Sequence, residues 1–149
     1  MERLNNTHNK MPRIKACLID TDVIINWLTQ EVESGSNKEL WKTPHQIIKL
    51  IEANKIKGFV SFIHLLEVRF ILRRKRDSNE EKIKRDIENI LEILEVVIPD
   101  EIDLLQANRL QIEKPFGPFD AILVALALSS KEVVLVSRDK TLLSLGSKF

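Results

Sequence analysis

Lys15-Ala16-Cys17-Leu18-Ile19-Asp20-Thr21-Asp22 (residues 15–22) sets four consecutive apolar side chains directly before two carboxylates. A run this short and this apolar reads as a strand over 15–19 buried on both faces, the habit of a parallel sheet. In open parallel sheets ligands collect in the crevice beyond the carboxyl ends of the strands, which is where Asp20 and Asp22 fall. Outward from this run, further short apolar stretches stand at 58–60, 96–98 and 133–136, with longer segments at helical spacing between them. The alternation predicts an α/β fold, a parallel sheet joined by crossover helices.

The helices carry start signals. Thr43 is placed to cap a helix with Pro44 at its first position and Gln46 completing a capping box, and Ser78 with Glu81 repeats that arrangement. Ile83, Ile87, Ile90, Leu91 and Leu94 follow as a core-facing stripe. Gly117-Pro118 opens a helix whose residues 121–128 are apolar all round, so it is expected to be the most buried helix, packed on the sheet. Ser34-Gly35-Ser36 reads as a turn.

The chain has 149 residues, 44% hydrophobic and 30% charged, the profile of one soluble domain over 13–149 after a polar arm at 1–12. The longest unbroken apolar run, 121–128, is too short to span a bilayer, and the first ten residues lack the apolar centre of a secretory signal. A cytoplasmic protein away from membranes is expected. Cys17 is the only cysteine, which excludes an internal disulfide and a cysteine-cluster zinc site. Net charge is +1, unevenly spread: residues 69–85 hold eight Lys and Arg against three acids, so this segment carries +5 and the remainder −4.

Four acids stand near strand ends or the helices that follow them. Asp20 ends the first strand, Glu67 lies between Leu66 and Val68, Asp120 falls in the first turn of the apolar helix, and Asp139 follows the last strand. Taken singly, Asp20, Asp22, Asp120 and Asp139 read as helix caps. Glu67 resists a bland reading, because a carboxylate among aliphatics costs several kcal/mol when buried unpaired. If the four meet, their repulsion calls for a cation, and an all-oxygen set suits Mg²⁺ or Mn²⁺ rather than zinc. A hard cation there would support phosphodiester hydrolysis.

In order and spacing, LIDTDVII at 18–25, SFIHLLE at 61–67, FDAILVALAL at 119–128 and VSRDKTLL at 136–143 resemble the characteristic blocks of PIN domains. The resemblance implies a three-layer α/β sandwich, with a short parallel sheet of four or five strands covered by helices on both faces. It also implies a metal-dependent ribonuclease, commonly the toxin of a VapBC toxin–antitoxin pair. Carried over by position, Asp20, Glu67, Asp120 and Asp139 would be the catalytic, metal-binding quartet, and Thr21, Asp22, Ser61 and Ser137 the polar residues around it. A VapB-like antitoxin and a homodimer are implied in the same way.

Arg69, Arg73, Arg74 and Arg76 follow the helix bearing Glu67 and are expected to meet RNA phosphates. With 5% aromatics and no tyrosine, a stacking platform of the RRM or OB kind is not expected, so recognition should run through backbone and shape. His64, one turn before Glu67, reads as a packed histidine. Two alternatives compete. Asp20-Thr21-Asp22 also matches the first motif of haloacid-dehalogenase-like phosphohydrolases, with Asp20 as nucleophile, although the far end lacks that family's second acid pair. The other is a catalytically idle PIN fold serving as a binding module.

Overall fold

The computed structural model describes residues 15–30, 36, 39–75 and 77–147. The arm at 1–12, most of the turn at 34–36 and Arg76 lie outside the described residues. In chain order the elements are β1 (Ala16–Ile19), α1 (Thr21–Thr29), α2 (Lys42–Glu52), β2 (Lys57–Ser61), α3 (Phe62–Leu72), α4 (Glu80–Ile93), β3 (Glu95–Val97), α5 (Glu101–Glu113), α6 (Pro118–Leu128), β4 (Val133–Val136) and α7 (Lys140–Gly146).

Among the described residues the sheet has four strands in the order β3-β2-β1-β4, every pair parallel. The chain therefore steps outward from β1 to β3 on one side, then returns to place β4 against the other side of β1. Such a reversal of strand order opens a crevice at the carboxyl ends of the two strands that flank it. Period-2 alternation divides β1 between the two layers. Cys17 and Ile19 join the core built by α1 to α4, with Val60, Val68, Ile83 and Ile90. Leu18 faces the other way, into the core of α5 to α7, with Leu110, Leu123 and Leu142. Helices thus cover both faces, as a three-layer α/β sandwich requires.

Only β1 is buried throughout; β3 and β4 are edge strands and partly exposed, contrary to the expectation that every strand is buried on both faces. Ile98, expected in the third strand, lies beyond its end and is exposed. Two caps also differ. α2 starts at Lys42, before Thr43, and its N-terminal residue Trp41 makes no side-chain cap. Pro44 still falls in the first turn, where its missing N–H goes unneeded. α4 is capped by Asn79 rather than Ser78, its side chain accepting from the Lys82 N–H at 2.9 Å. Both side-chain types satisfy the same orphan donors, so composition could not choose between neighbours. The apolar helix α6 is buried at Ala121 and from Leu123 to Leu126, while Leu128 reaches solvent. At Gly58 a Cβ would lie 2.5 Å from Ile51 Cδ1 and 2.6 Å from Leu94 Cδ2, so glycine lets α2 and the end of α4 close on β2. Burial pushes the Cys17 thiol up to about 11, which leaves it a small apolar filler in β1.

A candidate metal centre at the carboxyl ends of β1 and β4

An open pocket of about 320 Å³ gathers Asp20, Asp22, Glu67, Asp120 and Asp139 along its walls, with Thr21, Asn26 and Lys75. Four stretches of chain, widely separated in sequence, contribute these side chains: the start of α1, α3 with the residues after it, α6 and the start of α7. The reversal of strand order brings the ends of β1 and β4 together. α3 and α6 approach from the two helical layers.

Asp20 is the most tightly held. Its backbone N–H donates to the Val136 carbonyl at 2.9 Å, extending the β1–β4 ladder by one residue. As the N-terminal residue of α1 it accepts the Thr21 N–H at Oδ1, 2.7 Å away, and the Ser137 hydroxyl donates to Oδ2 at 2.7 Å. Ser137 Oγ in turn accepts the Asp139 N–H at 3.0 Å, and Asp139 Oδ1 accepts the Leu142 N–H at the start of α7. One hydroxyl thereby locks the two strand-end acids to each other. Capping and pocket-lining are thus both true of Asp20 and Asp139: the cap leaves Asp139 its Oδ2, and each Asp20 oxygen, bonded once, keeps a second lone pair.

Asp120 is different. Gly117 begins α6 without any side-chain cap, so the Asp120 carboxylate is not spent there. Burial raises its pKa, and the charges of Asp20, Asp139 and Glu67 raise it further. Asp22 accepts the Arg138 N–H at Oδ2, 3.2 Å away, whereas its buried Oδ1 has no partner. Burial foremost, then the Asp20 charge, pushes its carboxyl up to about 6 against the opposing Arg138 hydrogen bond. The pocket therefore sets five carboxylates against one cation, Lys75. An unpartnered buried carboxylate oxygen and mutually repelling acids are what a divalent cation would relieve.

The donor set fits such an ion. It is all oxygen, as Mg²⁺ or Mn²⁺ prefers. Among the described residues no three acids already close into a ligand shell.

Of the expected surrounding residues, Thr21 and Asp22 line the pocket, and Ser137 serves it by holding Asp20. Ser61 does not line it; its hydroxyl caps α3 by accepting the Ile63 N–H at 3.2 Å. His64 is a packed histidine, as expected: it is buried, its pKa is lowered by burial, and its ring meets Phe119 edge-on. Among the expected cations, Arg69 and Arg73 both pair with Glu80 at 2.7 and 3.0 Å, so part of the +5 segment is neutralised by its own next helix. Arg74 instead lies over the Phe70 ring.

Three residues escaped the sequence reading. Asn26, buried one helical turn after Asp22, had a signal in its isolation among the aliphatics of α1. Lys75 was hidden within a basic run, and Arg138, whose Nη1 donates to the Leu40 carbonyl at 3.1 Å, within a motif read only for its acid.

A sequence profile of the PIN domain matches residues 17–147. The fold is similar to that of a crystal structure, PAE2754 from Pyrobaculum aerophilum, with a TM-score of 0.61, covering 91% of this chain and 87% of that one at 16% identity. No curated protein matches the chain.

Proposed function

We propose, from the premise that this chain belongs to the PIN domain family, that it is a Mg²⁺- or Mn²⁺-dependent endoribonuclease. Nuclease activity goes with the family generally. The observation that carries the finer reading is the single pocket walled by Asp20, Glu67, Asp120 and Asp139, whose carboxylates outnumber the one cation, Lys75, on the same wall. These four carboxylates would hold the cation, which when bound supplies Lewis-acid polarisation of a phosphate oxygen and of a water. Ser137 keeps Asp20 and Asp139 in register, and the Arg138 N–H orients Asp22. Lys75, on the pocket wall, would draw in a strand phosphate. Arg74 and Arg76, with the Glu80-paired Arg69 and Arg73, would extend that attraction along the strand.

Asp139 is the one acid in the sequence after β4, which supports the diesterase reading over a nucleophilic aspartate of the haloacid-dehalogenase kind, whose second acid pair is missing there. In the test, single-stranded RNA is incubated with the protein in Mn²⁺ and again after chelation. Cleavage in the first and none in the second is expected. Cleavage that survives chelation overturns metal dependence. A protein that shows neither cleavage nor a rise in Tm with Mn²⁺ is the idle binding module.

We read the chain further as the toxin of a VapBC-type pair, a cytoplasmic homodimer held in check by a VapB-like antitoxin. Support for a protein partner lies on α5, where Ile102, Leu105 and Ile112 stand 57–80% exposed along one face. Sedimentation equilibrium should give a dimer for the wild type and a monomer for Ile102→Asp; a monomeric wild type rejects the homodimer. Among the described residues no helix is long and apolar enough to cross a membrane.

A further inference from the structure

Beside the carboxylate pocket lies a second hollow, apolar and about 570 Å³, lined by Ile63, Leu66, Glu67, Phe70, Ile71 and Phe119. Glu67 and Ile71 belong to the walls of both, so the two are contiguous. Five of the six residues come from one face of α3, at the i, i+3, i+4, i+7, i+8 spacing that stacks side chains along a helix. In a water-facing position, Phe70 and Phe119 are 54% and 48% exposed. Neither ring is loose. The Arg74 guanidinium covers Phe70 at 4.2 Å from its centroid, and Phe119 stands edge-on to the buried His64 ring at 6.4 Å.

We propose that this hollow is a nucleobase subsite, in which the base adjoining the phosphate held over the carboxylates stacks on Phe70 and Phe119. The inference rests on the nuclease reading of the neighbouring pocket. A nucleotide joins a flat apolar face to a charged phosphate, and here an apolar hollow with aromatic walls adjoins a cation-seeking pocket through two shared residues, Glu67 and Ile71. The Arg74 plane extends the stack, and its charge meets the next phosphate along the strand. A protein partner sealing the hollow would also enclose the Glu67 carboxylate on its wall, at a cost of several kcal/mol. A single base leaves that carboxylate facing the pocket. Stacking of this kind tolerates any base, since each has a π-face. Low aromatic content argued against an extended platform, but composition cannot reveal that two of six phenylalanines line a hollow that shares Glu67 and Ile71 with the acidic pocket.

The test uses a single-stranded RNA 12-mer carrying one 2-aminopurine, and the same strand with that base replaced by an abasic site, both in Ca²⁺ buffer. Wild-type binding should quench the 2-aminopurine emission. Phe70→Leu and Phe119→Leu should weaken binding of the intact strand about tenfold and restore the emission, whereas Phe70→Trp should retain both affinity and quenching. Far-UV circular dichroism checks that each variant folds. The subsite is overturned if the leucine variants bind the intact strand as tightly as the wild type does, or if they lose affinity for the abasic strand equally. It is also overturned if they convert a dimer into a monomer, which would give the hollow to a second copy. Mn²⁺-dependent cleavage by the wild type is read separately. A protein that cleaves yet ignores the ring at position 70 loses only the subsite, whereas a protein that does not cleave loses the nuclease reading itself.

Discussion

Asp120→Asn is expected to lower Mn²⁺-dependent RNA cleavage by about 10³-fold or more while leaving the unfolding temperature in chelator unchanged or raised. The two effects have opposite signs because the carboxylate is placed for charge and not for stability. It caps nothing, since Gly117 opens α6 without a side-chain bond. Burial and three neighbouring acids raise its pKa. A carboxyl whose folded pKa lies above its unfolded value adds stability only at pH below the unfolded value. That stability is lost as pH rises through the folded pKa, so above it the ionised group weighs against the fold. Asparagine keeps the shape and removes the charge. The loss in rate follows from the several kcal/mol that a bound cation contributes to the transition state, at about 1.4 kcal/mol per factor of ten. Asp20→Asn would abolish cleavage as well, but it also disturbs the α1 cap and the Ser137 bond. Asp120 therefore separates chemistry from folding more cleanly. Retained cleavage in Asp120→Asn would remove the residue from the metal site, and a large fall in Tm would mean that its charge is structural after all.

The second large effect concerns the helix that carries this acid. Leu123→Ala should destabilise the protein by about 2–5 kcal/mol, lowering Tm by roughly 5–15 °C. Leu123 is fully buried in the core between the sheet and α5 to α7, against Leu18, Leu110 and Leu142. Truncation leaves a cavity that the rigid sheet side cannot collapse to fill, which places the cost in the upper part of the range. Thermal unfolding in chelator reads the loss directly. A fall below about 2 °C would show that this layer repacks freely, against the close packing found around α6. Leu123 also lies one turn after Asp120, so the same substitution loosens the wall that holds the carboxylate.

The placement of strands was legible because each is a short apolar run bounded by polar residues. Val133–Val136 agrees with its reading residue for residue, and Ala16–Ile19 differs only at Lys15. The acids were legible too: Asp20 and Asp139 end strands, and an acid in the first turn of an apolar helix, like one among aliphatics on another, is conspicuous at Asp120 and Glu67. Caps were not, because Ser78 and Asn79 are equally able donors' partners and the choice turns on which backbone geometry the preceding loop delivers. The basic run was legible as charge but not as free charge, since Glu80 lies only seven to eleven residues from Arg73 and Arg69 and reaches back to both.

From its order of residues alone this chain determined where its strands and buried helices form and which acids could not be indifferent, because hydrophobic burial and backbone bonding act over a few neighbouring positions. Only the tertiary structure decided that β4 returns to the side of β1 away from β2. It alone decided that Ser137 joins two acids 119 positions apart, Asp20 and Asp139, and that Phe70 and Phe119 flank the pocket they enclose. Contacts between distant segments depend on the order in which strands pair and on the faces their helices cover, and no local stretch of chain records either.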